Sequence, residues 1–253
     1  MDIVPIRAFS DNYIWLLQSG TRAAVVDPGD ERPVIDHLER HGLGLCAVLL
    51  THHHADHVGG VKGLLQHHHV PVYGPANERI ASVSVPLHGG DRVSLEPIGA
   101  AFQVLDVPGH TRGHIAYYGA NILFCGDTLF ACGCGRLFEG TAAQMLQSLG
   151  VLAALPPDTR VFCAHEYTQA NIRFALAVEP DNADLQARAR QTAELRVRDL
   201  PTLPSTIAAE LATNPFFRTT KPAVRAAAER FRGATIDDDL GVFAAIREWK
   251  NVF

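Results

Sequence analysis

The first two thirds of the chain alternate short apolar runs with turn residues. The run AAVV at residues 23–26 ends at Asp27-Pro-Gly29, and a stretch with helical spacing follows at residues 33–41. Apolar runs of strand length that alternate with turns and helical stretches are typical of an α/β layered domain.

The pattern becomes helical after residue 168. Ala, Leu, Arg, Glu and Gln dominate residues 169–198, and helical spacing recurs at residues 221–232 and 239–250. Four prolines divide this part into short helices, and the acidic run at residues 237–239 suits a helix start. We therefore predict an α/β domain at residues 1–168 and a small all-helical domain at residues 169–253.

Four apolar runs of the first part lead directly to side chains that bind metal ions. The run at residues 47–50 precedes the segment THHHADH, which contains His52, His54, Asp56 and His57. The runs at residues 102–107, 122–125 and 160–163 lead to His110, Asp127 and His165. Imidazole and carboxylate groups suit zinc and related divalent ions. One such residue would indicate a core histidine or a turn aspartate, but four strand ends with the same chemistry predict a metal centre for hydrolysis.

Composition and charge narrow the class of protein. The 253 residues are 47% hydrophobic, enough for a core, and no apolar run approaches the roughly 20 residues of a membrane helix. The N-terminus lacks a signal-peptide pattern, and five cysteines without a disulfide-like framework fit a reducing cytoplasm. A net charge of -5 counts against nucleic-acid binding. We expect a cytoplasmic monomer with neither a nucleic-acid nor a membrane partner.

Two further motifs suggest metal or redox chemistry. Cys132 and Cys134 are close in sequence, but their spacing is not CxxC, which favours a flexible glycine loop with incidental thiols. His67, His68 and His69 are consecutive, so they cannot all face one ion in regular structure. A solvated helix end is the prediction for these histidines.

The motifs resemble the metallo-β-lactamase superfamily. Within it, the chain is similar from end to end to the hydroxyacylglutathione hydrolase family, also called glyoxalase II, at residues 11–15, 51–60, 108–114, 125–130, 133–140 and 165–168. The resemblance implies an αββα sandwich followed by a small helical domain that closes over the active-site rim. It also implies hydrolysis of the thioester S-D-lactoylglutathione to glutathione and D-lactate, the second step of methylglyoxal detoxification.

The same resemblance implies two metal ions. One would be held by His52, His54 and His110, the other by Asp56, His57 and His165, and Asp127 would bridge them. A shared water with its pKa lowered to about 7 would attack the carbonyl as hydroxide. Asp56 and Asp127 would be the catalytic residues. Zinc is the expected metal, although iron and manganese also accept such ligands. Four further residues are expected to orient the ligand imidazoles: Thr51, His53, Thr111 and His114.

Five positions are candidates for substrate binding: Arg136, Phe138, Tyr167, Arg247 and Lys250. Arg247 and Lys250 are three residues apart and share a helix face, a pattern that alone indicates a solvated basic surface. The resemblance implies that they bind the glycine carboxylate of glutathione. Phe138 stands where some members carry a tyrosine, which removes a hydrogen bond worth about 0.5–1.5 kcal/mol.

Other functions remain in competition at this stage. Persulfide dioxygenases of the superfamily resemble the chain around residues 52–57, but they use one iron and lack the helical domain and the Arg-x-x-Lys ending. Lactonases and β-lactamases have other pockets. A binding module that has lost its metals is disfavoured because all seven expected ligands are present.

Overall fold

The computed structural model describes all residues, 1–253, and contains two compact packing units. Unit 1 comprises residues 1–106 and 111–126, and unit 2 comprises residues 107–110 and 127–253. The predicted boundary at residue 168 concerns functional domains and stays a prediction.

Unit 1 contains a six-stranded sheet whose strands lie in chain order. The strands are β1 (Asp2–Ala8), β2 (Asn12–Ser19), β3 (Arg22–Val26), β4 (Gly44–Leu49), β5 (Val72–Pro75) and β6 (Val85–Leu87). The first three are antiparallel, and the pairs from β3 to β6 are parallel. Five of the six residues of β4 are buried, which explains its continuous apolar run. The strand predicted before the histidine-rich segment is confirmed.

Three helices of unit 1 follow the strands of this sheet: α1 (Glu31–His41), α2 (Ala55–Val58) and α3 (Val61–His67). The side chain of Asp30 accepts a hydrogen bond from the Arg32 amide at the start of α1, and Gly42 ends the helix at a φ of 62°. Buried residues of α1 and α3 join the core cluster of the sheet. The helix predicted at residues 33–41 is confirmed. His67 and His69 are exposed where α3 ends, as predicted.

Unit 1 also contains four antiparallel strands: β7 (Arg92–Leu95), β8 (Ala100–Asp106), β9 (Ile115–Gly119) and β10 (Ile122–Gly126). A 3-10 helix at Glu96–Ile98 joins β7 to β8. Phe102 and Phe124 meet edge to face at 5.8 Å between ring centroids. The Tyr117 hydroxyl donates a hydrogen bond to the Leu50 carbonyl at 2.8 Å, which links β9 to the end of β4. Strands β8 and β10 confirm the predictions at residues 102–107 and 122–125.

Unit 2 is mostly helical. Its helices are α4 (Ala142–Ala153), α5 (Thr168–Val178), α6 (Ala183–Val197), α7 (Ile207–Thr213), α8 (Pro222–Arg232) and α9 (Asp239–Val252). Its strands are β11 (Leu129–Phe130), β12 (Gly133–Cys134), β13 (Arg160–Cys163) and β14 (Ser205–Thr206). No helix of the protein is both long and apolar enough to span a membrane.

The helical stretches predicted after residue 168 are confirmed, but the part is not entirely helical. Strand β14 pairs with β13 in antiparallel register, with Thr206 opposite Arg160. Pro201 and Pro204 precede β14, and proline disfavours a helix in the residues before it. The chain therefore extends here and supplies a partner for the edge of β13.

Cys132 lies in the turn of a hairpin formed by β11 and β12, so the predicted loop with incidental thiols is present, but it is buried rather than exposed and flexible. Strands β11 and β12 pair, and all five cysteines are free and buried. Burial raises the pKa of Cys132 to about 12 and also raises that of Cys134. Both thiols therefore stay protonated at neutral pH, which counts against a metal or redox role.

A buried carboxylate anchors this hairpin to the helices. Glu210 of α7 is fully buried and accepts hydrogen bonds from the Cys132 amide at 2.8 Å and the Asn214 side chain at 2.9 Å. The guanidinium of Arg188 donates to Glu210 at 2.7 Å, and the Ser205 hydroxyl donates at 2.5 Å. One ion pair thus connects α6, α7, β14 and the hairpin.

Replacing Glu210 by Ala should destabilise the protein strongly. The change leaves the Arg188 guanidinium buried without its carboxylate, and breaking a buried pair costs about 3–5 kcal/mol. Urea unfolding followed by circular dichroism measures the loss. Glu194→Ala on the exposed side of α6 is the matched control and should change stability by less than about 0.5 kcal/mol. Equal stability of the two variants would show that the ion pair contributes little.

Candidate metal centre and substrate pocket

The histidine-rich segment of unit 1 begins at the end of β4 and is held by Asp27, which follows β3. Asp27 is buried and accepts hydrogen bonds from the Thr51 amide at 2.8 Å and the Thr51 hydroxyl at 2.7 Å. Its Oδ2 also lies 3.0 Å from Nδ1 of His57. Asp27 thereby fixes the His57 ring, leaving Nε2 as the nitrogen for a metal ion.

The ring of His52 is oriented in the same way. The Thr51 hydroxyl gives its proton to Asp27, so its oxygen can accept from Nδ1 of His52 at 3.0 Å. Nε2 of His52 then lies 3.1 Å from Nδ1 of His54. The ring of His114 stacks on His52 at 4.6 Å between centroids. Thr51 and His114 thus contact His52, while the supporting role assigned to them stays a prediction.

Asp27 is a residue that the sequence analysis missed. Its ligand atoms lie within 4.8 Å of those of His52 and His57, so the geometry alone would allow it to bind a metal. Both carboxylate oxygens are already occupied by Thr51 and His57, which favours an orienting role. A signal was present, because Asp27 follows an apolar run in the same manner as the predicted ligands.

Glu78 was also missed and performs a similar task for the other two supporting residues. It accepts hydrogen bonds from the Thr111 hydroxyl and from the Gly113 amide at 3.2 Å, and Nδ1 of His53 lies 2.8 Å from its Oε2. The Glu78 side chain is 2% exposed, whereas that of His53 is 34% exposed. No sequence pattern pointed to Glu78, which lies in a turn after β5.

The predicted ligands of unit 2 are His110, Asp127 and His165, and both histidines face Asp127. Nε2 of His110 is 3.5 Å from Oδ2 of Asp127, and Nε2 of His165 is 3.4 Å from Oδ1. Nδ1 of His110 is held by the Arg136 carbonyl oxygen at 2.9 Å. The two oxygens of Asp127 therefore face different histidines, an arrangement suited to a carboxylate that bridges two ions.

A cavity of about 480 Å³ in unit 2 joins these ligands to the predicted substrate residues. Its lining includes His110 and Asp127 together with all five substrate-binding candidates, Arg136, Phe138, Tyr167, Arg247 and Lys250. Tyr167 stacks on His165 at 4.7 Å between ring centroids, and Phe138 meets His110 edge to face at 5.2 Å. The structure thus brings the candidates of this unit together around one cavity.

Arg247 and Lys250 of α9 do not form the solvated basic surface that their spacing alone indicated. Arg247 is 4% exposed, donates to the Cys134 carbonyl at 2.8 Å and to the Asn251 side chain at 3.1 Å, and lies over the Phe216 ring. Nζ of Lys250 lies 5.0 Å from the centroid of the Phe174 ring. Burial, followed by the charge of Arg247, lowers the pKa of Lys250 to about 8. Both cations are partly desolvated, which strengthens their attraction for an anion.

The side chains of both units fit divalent metal ions. The predicted ligands are histidines and carboxylates, with no thiolate. In His57, His52 and His110 one ring nitrogen is held by Asp27, Thr51 or Arg136, and the other nitrogen faces another predicted ligand. Such a nitrogen and oxygen donor set suits zinc, iron and manganese alike.

Comparison with known proteins first defines the class. Residues 8–165 match the family model of the metallo-beta-lactamase superfamily. The crystal structure of BLEG-1 B3 metallo-beta-lactamase superposes with a TM-score of 0.63 at 23% identity, over 85% of this chain and 98% of that one. That of TTHA1623 in a di-iron-bound form has a TM-score of 0.60 at 28% identity, over 85% and 100%. The protein has the αββα metallo-β-lactamase fold with a helical C-terminal region, as predicted.

Similarity over the whole length of the chain then identifies the particular family. Residues 166–253 match the model described as hydroxyacylglutathione hydrolase C-terminus. The hydroxyacylglutathione hydrolase of Alkalilimnicola ehrlichii is 58% identical over 252 residues, which are 99% of this chain and 98% of that one. The one of Nitrosomonas eutropha is 53% identical over 253 residues, 100% and 99% of the two chains. The chain belongs to the hydroxyacylglutathione hydrolase family.

Removal of the Asp127 carboxylate should cost both metal ions. Asp127→Ala deletes the group whose oxygens face His110 and His165, so each ion would lose a ligand at once. Elemental analysis of the purified variant should show fewer than one ion per chain, with most activity lost. Retention of two ions per chain would contradict the bridging role.

Proposed function

We propose that this chain hydrolyses S-2-hydroxyacylglutathione thioesters, including S-D-lactoylglutathione, to glutathione and the free 2-hydroxy acid. The observation that carries the proposal is the shared cavity of unit 2. Metal-ligating His110 and Asp127 line it together with the desolvated cations Arg247 and Lys250. A thioester whose other end carries a carboxylate would place its carbonyl near the metal ligands and its carboxylate near the two cations.

The metal centre of this proposal follows the ligand set of the family. His52, His54 and His110 would hold one ion, Asp56, His57 and His165 would hold the other, and Asp127 would be a ligand of both. Two zinc ions bound there would supply a water of lowered pKa and an electrophile for the thioester carbonyl. This assignment rests on membership of the family and on the orientation of the histidine rings within each unit.

The protein itself supplies orientation and charge. Asp27 and Thr51 hold the rings of His57 and His52, so no reorganisation is needed when the carbonyl develops negative charge. Arg247 and Lys250 bind the glycine carboxylate of glutathione. Nη1 of Arg247 donates to the carbonyl oxygen and the Sγ of Cys134, whereas Nη2 donates to Asn251 and keeps a second N–H for a ligand. Fixing the remote end in this way positions the thioester for attack.

Tyr167 and Phe138 form the aromatic sides of the cavity in this proposal. Their rings lie against His165 and His110, the two ligands that face Asp127. Arg136 contributes its carbonyl to His110 and its side chain to the cavity lining. Arg136 thereby orients the ring of His110 through its carbonyl and adds positive charge to the cavity that attracts the substrate.

The proposal extends to the cellular setting. Five free, buried cysteines fit a reducing cytoplasm, and we propose a monomer there, since metal ligands and substrate residues are all present in one chain. The competing reading as a persulfide dioxygenase, a class expected to lack the helical domain, is disfavoured by the family match over residues 166–253.

The first test is loss of thioester absorbance from S-D-lactoylglutathione with metal-replete protein. Hydrolysis should be rapid, should stop after chelation and should return when zinc is restored. Arg247→Met keeps much of the side-chain volume but removes the charge. It should raise KM by about 10- to 100-fold with a small effect on kcat, because a hydrogen bond to a charged group contributes about 1.5–3 kcal/mol.

Arg190→Met is the matched control, because Arg190 is an exposed arginine of α6 that does not line the cavity. Its KM should equal that of the unmodified protein. Absence of hydrolysis by protein that contains two ions would overturn the substrate assignment. An equal rise in KM for both variants would show that overall charge, rather than the Arg247 contact, governs binding.

Substrate binding should weaken above pH 8. Lys250 has a pKa of about 8, so its charge and its attraction for the glycine carboxylate disappear as the pH rises through that value. KM should increase by up to about tenfold per pH unit above this point while kcat changes little. Lys250→Arg keeps the charge and should abolish the increase. An identical KM profile for this variant would assign the effect to another group.

A further inference from the structure

The turn between β1 and β2 contains a motif that the proposed function leaves without a role. Residues 11–15 read DNYIW, and Asn12 begins β2 opposite Ala8 of β1. Asn12 is 7% exposed, although it lies at a turn. Its Nδ2 lies 3.0 Å from Oδ2 of Asp56 and 3.4 Å from the carbonyl oxygen of Asp56. One amide therefore contacts both the side chain and the backbone of a proposed metal ligand.

These contacts identify the orientation of the amide. Carboxylate and carbonyl oxygens only accept hydrogen bonds, so the NH2 group of Asn12 must face Asp56. The backbone supports this pairing, because the amide of Gly60, which would bond to the Asp56 carbonyl if α2 continued, donates to Pro28 at 3.0 Å instead. Asn12 serves as a donor to that carbonyl and holds the carboxylate with its second N–H.

The contacted oxygen is also the one that faces the metal ligands. Oδ2 of Asp56 lies 3.5 Å from Nε2 of His57, the nitrogen that Asp27 leaves for a metal. The two side chains differ in exposure, since that of His57 is 1% exposed and that of Asp56 is 42% exposed. Packing therefore holds the histidine more firmly than the carboxylate, and the hydrogen bond from Asn12 helps to set the direction of that carboxylate.

We propose that Asn12 is a positioning residue for the metal ion that the proposed function assigns to Asp56, His57 and His165. Its two N–H groups fix the carboxylate relative to the helix that carries it and direct Oδ2 towards the ion. The inference rests on the dimetal centre of that function, but it does not depend on the substrate. It also gives the DNYIW motif a role in metal binding.

The test is a metal titration rather than an assay of activity. Metal-free full-length protein is titrated with Zn²⁺ against a competing chelator, and elemental analysis gives the stoichiometry. Asn12→Leu has similar volume and no donor, and Asn12→Ser is a second variant whose side chain is too short to reach Asp56. Each should bind one of the two ions about 10- to 100-fold more weakly, the usual effect of losing a supporting hydrogen bond, and keep the other.

Ser10→Ala is the matched control in the same turn. The Ser10 hydroxyl donates to Asp11 rather than to Asp56, so both zinc affinities should equal those of the unmodified protein. Unchanged affinities in both Asn12 variants would overturn the proposal. Equal weakening of both ions would also overturn it, since that pattern indicates a general structural effect. Binding of a single ion by the unmodified protein would overturn it together with the dimetal centre.

A double-variant comparison separates positioning from an independent effect on the fold. Asp56→Asn should weaken the same ion, and adding Asn12→Leu should cause no further loss, because Asn12 acts through that carboxylate. Additive losses would show that Asn12 acts by another route. Two-ion binding without thioester hydrolysis would disprove the substrate proposal, while the zinc affinities still decide the role of Asn12.

Discussion

The site depends on one constraint, which is that an imidazole ring binds a metal in a fixed direction only if its other nitrogen is held. Acceptors from separate segments meet this need: Asp27 for His57, the Thr51 hydroxyl for His52 and the Arg136 carbonyl for His110. Asp27 is central because it binds both Thr51 and His57. The backbone segments that place these acceptors therefore determine the direction of the imidazole rings as much as the histidines themselves do.

Unit 2 keeps two cations desolvated beside the cavity that His110 and Asp127 line. Arg247 lies over Phe216 and Lys250 over Phe174, so aromatic faces take the place of water around the charges. Phe174 in turn contacts Trp249 of the same helix as these cations, at 5.3 Å between ring centroids. The buried Glu210 network fixes the hairpin whose Cys134 carbonyl accepts from Arg247. Helix packing is thus what keeps these two cations desolvated.

The sequence predicted residue types and element classes well, since both follow from local pattern. An apolar run followed by His or Asp indicated β4, β8, β10 and β13 correctly, and helical spacing indicated the helices of unit 2. It failed where partners come from distant parts of the chain. The loop at Cys132 was expected to be flexible, because nothing local shows that Glu210, 78 residues later, would bind its amide and bury the turn. Strand β14 was missed because its pairing depends on the free edge of β13.

What the sequence by itself determined was the chemistry of the side chains: seven histidines and carboxylates suited to metal binding, an α/β part before a helical part, and two cations on one face of α9. Only the tertiary structure decided which atoms do the work. Asp27, Glu78 and Asn12 contact Thr51, Thr111 and Asp56 across 24, 33 and 44 residues. The physical reason is that ligand identity is a property of a side chain, whereas ligand direction depends on hydrogen bonds that form only when distant segments pack.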